Sequence, residues 1–375
     1  MKKTLLTICL VWMCFSLSAQ KIIDLSGKWS FSIDRQDNGE KEKWFSHTLN
    51  DFINLPGSMP EKLKGDEVTA KTQWTGSLYD SSYYYNPYME KYRKEGNIKF
   101  PFFLTPDKHY VGAAWYQKEV NIPADWKGER ILLFLERPHI ETTVWVNGQK
   151  TGMQNSLCVP HQYDITRYVR PGKCTITIRV DNRIKEINVG PDSHSITDQT
   201  QGNWNGIVGR ICLQTTPKTY FDDIQIYPEP EQKLARVKVV IKGTGTAKVK
   251  LSAESFNTDK KHIVPAIQQE IKLNKGVTET EMVLPMGNDM LLWDEFHRPC
   301  KTESRRITKW EKTRDKGNTI RYAADLKVKG KWFYVNGRKT QLRGTVENCD
   351  FPLTGYAPMD VEVGNGYSVS VAVMD

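Results

Sequence analysis

The chain has 375 residues, 39% of them apolar and 26% charged, with a net charge of +9. These fractions are ordinary for a soluble globular protein and leave enough apolar material for about two or three domains with their own cores. Neither the seven cysteines nor the seven histidines form a CxxC pair or a ligand spacing, so neither a zinc site nor a dense disulfide framework is indicated. A basic chain invites a nucleic-acid partner, but the excess is local. The span 301–321 holds eight basic and three acidic residues, the pattern of a solvated face, so no nucleic-acid partner is expected.

Residues 1–19 read as a secretory signal: Lys2-Lys3, an apolar run from Leu5 to Phe15, then the small-residue end Ser16-Leu-Ser-Ala19. The run is too short for a permanent anchor. The chain is therefore expected to be exported to the periplasm or beyond the cell, to start at Gln20 after cleavage, and to keep no membrane contact.

From Ile23 to Asp34, Trp29, Phe31 and Ile33 alternate with Lys28, Ser30 and Ser32, the period of a half-buried strand. Residues 35–110 are less regular. Trp74 precedes a crowd of tyrosines at 79, 83, 84, 85, 88 and 92. Such aromatics either stack on sugar rings, whose C–H faces suit a π surface, or cover the end of a sandwich. Strands follow at Trp115–Ile122 and Arg130–Glu136, across a turn at Pro123–Gly128. Glu141–Val146 is β-branched and aromatic, and Asn147-Gly148 turns the chain. A type I′ turn needs φ > 0 at both central residues, which Asn-Gly tolerates best. A further strand covers Thr175–Val180. Gly202–Gly209 is a glycine-punctuated corner carrying Trp204, Asn205 and Gly206, and it leads into the strand Arg210–Gln214. No amphipathic helix of useful length appears before residue 220, so the pattern is that of a β-sandwich or jelly roll.

Pro217–Pro230 marks a boundary, with Phe221–Tyr227 as an edge strand. The strands then expected, Ala235–Lys242, Ala247–Glu254, His262–Leu273 and Val277–Leu284, have the size and spacing of an immunoglobulin-like sandwich. Its clearest hairpin pairs Val237–Val240 with Lys248–Leu251 across Gly243-Thr-Gly-Thr. Adjacent carboxylates at Asp294-Glu295 point to opposite sides of an extended strand, which argues against a catalytic pair. Asn336-Gly337 repeats the local string around Asn147-Gly148 and is expected to form a second tight turn.

Five motifs stand in one order: Leu25-Ser-Gly-Lys-Trp, Trp115-Tyr, Val144-Trp-Val-Asn-Gly with Gly152, Tyr163-Asp-Ile-Thr, and Asn203-Trp-Asn-Gly-Ile with Gly209. This order resembles the amino-terminal sugar-binding domain of glycoside hydrolase family two, which includes β-galactosidases, β-glucuronidases and β-mannosidases. Residues 221–300 look like the family's immunoglobulin-like domain. Phe333–Gly344 looks like the lead-in to its (β/α)8 barrel. The resemblance extends over about residues 21–360. In this family two glutamates on the barrel perform a retaining double displacement, one as acid/base and one as nucleophile. Both lie downstream of the Leu-Arg-Gly lead-in, and no residue here matches either. Val346 and Asn348 stand where the family's usual Asn and His would be, so only Arg343 carries over.

The resemblance and the pattern together imply an all-β chain. A signal occupies 1–19, a sugar-binding jelly roll 21–220, an immunoglobulin-like sandwich 221–328, and a stub of a (β/α)8 barrel 329–375. The implied function is the amino-terminal part of an exported glycoside hydrolase, truncated at the start of its barrel. Such a part would be inactive alone and bind a β-glycoside at most weakly, with no cofactor and no metal. Candidate sugar contacts are Trp74, Tyr83, Tyr84, Tyr85 and Arg343; Asn147, Gly148, Trp204, Asn205 and Gly206 are structural. The alternatives are a stand-alone carbohydrate-binding or adhesive module, a subunit whose barrel another chain supplies, and a structural protein without sugar affinity. The spans 301–323 and 363–375 break the pattern around them; codon choices exist whose shifted frame would restore it, and on that frameshift reading both are expected to pack poorly, the alternative being a genuine basic loop and a natural tail.

Overall fold

The computed structural model describes residues 21–75, 81–100, 105–157, 159–185, 198, 202–256, 261–290, 308–310, 326–335, 337–341 and 356. The signal segment, Asp294-Glu295, Arg343, the span 363–375 and all of 301–323 except 308–310 lie outside the described residues. The described residues fall into two compact units: Ile22–Lys218 together with Val328–Phe333 and those from Lys339 on, and Thr219–Lys327 together with Tyr334–Arg338.

The first unit contains β1 (Ile22–Asp24), β2 (Gly27–Asp34), β3 (Asp51–Leu55), β4 (Gly57–Ser58), β5 (Asp66–Glu67) and β6 (Lys108–His109), with the single-turn helix α1 (Ser82–Tyr85) before β6. It continues through β7 (Ala113–Ile122), β8 (Arg130–His139), β9 (Glu141–Val146), β10 (Gln149–Asn155), β11 (His161–Asp164), β12 (Gly172–Asp181) and β13 (Gly206–Thr216). Two antiparallel sheets result. One has the order β10-β9-β12-β7-β2-β3, and the other β1-β13-β8-β11 with β4 beside β13.

Alternation along each strand builds the core between the sheets. Cys174, Ile176, Ile178 and Val180 of β12 meet Trp29, Phe31, Tyr116, Val144, Leu133, Leu135 and Ile211 in one buried cluster. Burying each large apolar side chain of this kind is worth roughly 1.5–3 kcal/mol. The opposite face of the six-stranded sheet is covered as well. Trp115 and Trp145 stack there (4.9 Å between ring centres), and Phe45 lies parallel on Trp145 at 5.2 Å. Leu49 completes this outer cluster. Charge fastens the segment that covers it. Arg179, on the outer face of β12, reaches Asp37 at 2.6 Å and Asp181 at 3.0 Å.

The turn expected at Asn147-Gly148 joins β9 to β10, with φ of 50° and 77°. Asn147 does more than turn the chain. Its Oδ1 accepts from Thr175 N at 3.0 Å, and its Nδ2 donates to Tyr168 O at 3.1 Å.

The second unit is built on β14 (Tyr220–Glu229), β15 (Leu234–Phe256) and β16 (Lys261–Pro285), with β17 (Thr308–Trp310) beside β15. The hairpin expected across Gly243-Thr-Gly-Thr is not what forms. Val237 pairs with Met282 and Lys248 with Glu270, so β15 passes through the glycines as one strand and β16 follows it. The register shifts between Gly243 and Gly245, and the glycines bend a long ribbon instead of closing a turn. Val237, Val239 and Ile241 before the bend and Val249 and Leu251 after it share one buried cluster. The four expected strands are thus the halves of two long ones. A separate sheet holds β18 (Leu326–Lys329), β19 (Trp332–Val335) and β20 (Arg338–Thr340); Gly337, between the last two, has φ of 80°. Asn336 lies outside the described residues.

Candidate functional site

At the end of the first sandwich where β7 and β13 begin and β8 and β12 finish, polar side chains gather around the glycine corner. Asn205 is fully buried and ties that end together. Its Oδ1 accepts from Tyr116 Oη at 2.7 Å, and its Nδ2 donates to Gly112 O at 2.9 Å and Val180 O at 3.0 Å. Gly206 lies so close to β4 that a Cβ there would stand 2.8 Å from Ser58 Cα and closer still to Gly57 O. Trp204 stacks on His139 with ring centres 4.6 Å apart, while its carbonyl accepts from His139 Nδ1 at 2.8 Å. Burial pushes the His139 pKa down to about 4, so the ring is neutral near pH 7. Tyr356 tilts over Trp204 at 5.4 Å and donates to Glu61 Oε2 at 2.7 Å.

Beside Trp204 lies a nearly water-free carboxylate. Asp198 has a side chain only 4% exposed. Its Oδ2 accepts from Thr75 N at 2.6 Å and its Oδ1 from Asn203 N at 2.9 Å. His109 Nε2 stands 3.5 Å from Asp198 Oδ2, at the limit of a hydrogen bond. Asn203 donates to Thr75 Oγ1 at 2.8 Å and Asn182 O at 3.1 Å. Two buried atoms of this cluster, His109 Nε2 and Asn203 Oδ1, have no hydrogen-bond partner. Most buried polar atoms in folded proteins are paired, so an open donor or acceptor position next to a carboxylate needs a reason. A ligand hydroxyl, which both donates and accepts, fits such a set.

His109 also lines a cleft of about 480 Å³, with Asp34, Asp66, Gln73, Tyr110 and Arg183 among its walls. Two ion pairs lie in its wall: Arg35 pairs with Asp66 and Arg183 with Asp37, each at 2.6 Å. Burial alone would raise the Asp181 carboxyl behind this wall; hydrogen bonds from Arg183 and Lys185 outweigh it and hold Asp181 ionised well below the usual range. Among the described residues no group of His, Cys, Asp or Glu is placed to hold a metal ion.

Residues 22–217, the whole of this sandwich, match the family described as "Glycosyl hydrolases family 2, sugar binding domain". The chain belongs to glycosyl hydrolase family 2. It is 24% identical over 266 residues to the β-glucuronidase of Homo sapiens, a match covering 64% of this chain and 35% of that protein. It is 24% identical over 285 residues to the β-galactosidase of Thermoanaerobacter pseudethanolicus, covering 70% and 35%. The chain thus spans about a third of the length of these relatives. A solved β-glucuronidase from an uncultured Clostridium superposes with a TM-score of 0.58 at 18% identity, covering 86% of this chain and 48% of that one. The Ruminococcus gnavus β-glucuronidase superposes with a TM-score of 0.56 at 17% identity, covering 87% and 49%. At these identities the likeness concerns the fold.

Within this family 2 sandwich the aromatic candidates separate. Trp74 packs half-buried at the corner, 4.6 Å from His109 and 4.8 Å from Phe100. Tyr83 is 0% exposed, stacks on Phe100 and donates to Tyr92 O, so its ring is closed to a sugar; the expectation of a contact there is corrected. Its position in α1 turns it inward while Tyr84 and Tyr85 turn outward, 45% and 74% exposed. Trp204, Asn205 and Gly206 form the corner, and Asn147 and Gly148 sit at the opposite end of the sandwich. Arg343 lies outside the described residues. Sequence reasoning missed His109, Asp198 and His139, which occupy no motif. Asn203 opens the motif Asn203-Trp-Asn-Gly-Ile, which signalled it as part of the corner without giving it a role.

Proposed function

We propose that the chain is the amino-terminal, sugar-binding part of an exported glycoside hydrolase that acts on the O-glycosidic bonds of β-glycosides. The observation that carries this is the match of the complete first sandwich, residues 22–217, to the family's sugar-binding domain. The corner around Asp198 supports it, since buried atoms with unused hydrogen-bonding capacity beside a carboxylate suit a sugar hydroxyl. The charged start, apolar run and small-residue end of residues 1–19 support export.

The chain alone binds a β-glycoside weakly and does not hydrolyse it. Retaining hydrolysis needs two carboxyl groups flanking the scissile bond, and the family places both on the barrel, at positions without a match here. General acid–base assistance alone is worth about 10²–10⁴ in rate. The purified chain should therefore release no chromophore from nitrophenyl β-galactosides, β-glucuronides or β-mannosides. Turnover that survives removal of trace contaminants would refute the inactivity, and a complete absence of saturable glycoside binding would refute the sugar-binding role.

A further inference from the structure

Tyrosines that the sequence presents as one crowd face two ways in the structure. Tyr83 turns inward and anchors the segment. Its ring stacks on Phe100 at 4.8 Å, and Arg93 donates to its carbonyl. Tyr84, Tyr85 and Tyr88 turn outward, 45%, 74% and 85% exposed, on α1 and on the 3-10 turn Pro87–Arg93 that follows. Three outward aromatics within five residues form a contiguous exposed patch, and such patches mark binding sites. Phenol rings suit the C–H faces of pyranoses, and their edges remain wet.

The same segment is basic. Residues 81–99 carry Lys91, Arg93, Lys94 and Lys99 against Glu90 and Glu95. Lys94 is matched by Glu90 at 3.1 Å. Lys91 lies over the Tyr92 ring, 4.9 Å from its centre, and among the described residues neither it nor Lys99 meets a carboxylate. Exposed rings flanked by unmatched ammonium groups complement a sugar chain that carries carboxylates. They do not favour a neutral one.

We propose that Tyr84, Tyr85 and Tyr88, with Lys91 and Lys99, form a platform for an acidic polysaccharide, distinct from the corner around Asp198. The proposal rests on the carbohydrate-binding role given above. The corner would take one sugar unit by hydrogen bonds. The platform would hold an extended uronate-containing chain by stacking and charge, and so bring substrate to the enzyme of which this chain is part.

Polygalacturonate is a suitable probe, with dextran as the neutral polymer and single-stranded poly(dT) as the non-sugar polyanion. Binding of each to the full chain is measured by calorimetry at two salt concentrations, for the wild type, Tyr85→Ala/Tyr88→Ala and Lys91→Gln/Lys99→Gln. Polygalacturonate should bind in preference to both controls, and the tyrosine pair should weaken it about tenfold while leaving the net charge unchanged. The lysine pair should weaken it and flatten its salt dependence. All of these side chains are exposed, so the melting temperature of each variant should equal the wild type's. Unchanged binding by the tyrosine pair would overturn the platform, and equal binding of dextran would overturn its preference for acidic chains. Equal binding of poly(dT) would reduce it to non-specific polyanion binding. Monosaccharide titration at the corner is a separate readout, so loss there with polymer binding intact would count against the parent reading alone.

Discussion

The two ends of the first sandwich are each organised by an asparagine, and they differ in what they leave open. At the hairpin end, Asn147 turns the chain and spends its side chain on Thr175 and Tyr168. Next to it, Gly148 has nothing within 4 Å of where a Cβ would stand, so only its φ of 77° constrains it. At the corner end, Asn205 is likewise fully used, binding Tyr116, Gly112 and Val180. Around it, however, His109 Nε2 and Asn203 Oδ1 are buried without partners. The first end is closed and serves stability. The second leaves hydrogen-bonding capacity unused, which costs stability, and under the proposed function a sugar hydroxyl takes it up.

The largest expected effect tests the rigidity of the corner. A Cβ at position 206 collides with backbone on β4, which cannot rotate away. Gly206→Val should cost about 3 kcal/mol or more by urea denaturation. A stability within experimental error of the wild type would show that β4 and β13 are not locked together.

Next comes acid. His139 is held at about 4 in the folded state against an ordinary 6.5, so the unfolded chain binds this proton more readily. Its contribution is complete above pH 6.5 and is lost as pH falls from about 6.5 toward 4. His139→Phe, which keeps an aromatic ring on Trp204, should flatten that part of the stability–pH curve. An unchanged slope would mean another group supplies it. A smaller effect belongs to the hairpin end: Gly148→Val should cost about 1–2 kcal/mol in stability through its left-handed backbone and leave sugar binding untouched.

The contrast between the ends also decides what could be read from the sequence. The hairpin end is local. The β-branched and aromatic composition of Glu141–Val146 and the turn chemistry of Asn-Gly lie within a few residues, and the strand and the turn are found where expected. In the second unit the same local logic misleads. Gly243 and Gly245 resemble turn residues, yet they bend a strand whose partner lies across β16, and only the pairing of two long strands distinguishes bend from turn. Most of the corner is non-local. Thr75 and Asp198 are 123 positions apart, and Tyr116 and Asn205 are 89 apart. His109 carries no motif and becomes notable only when the topology of β6, β7 and β13 sets it beside Asp198. The tyrosine crowd was visible in composition, but the inward turn of Tyr83 depends on its packing against Phe100.

The most direct measurement is a glycoside titration that sets one end against the other. Trp74 and Trp204 flank the open polar groups and contribute to the fluorescence of the chain's eleven tryptophans. A methyl β-glycoside should change it saturably in the wild type and in Gly148→Val. In Asp198→Asn and His109→Gln, which keep side-chain size and remove the charge or the ring nitrogen, binding should weaken about tenfold, the loss of one charge-assisted hydrogen bond. Equal affinity in all four proteins would contradict the claim that the corner end of this family 2 domain is its sugar site.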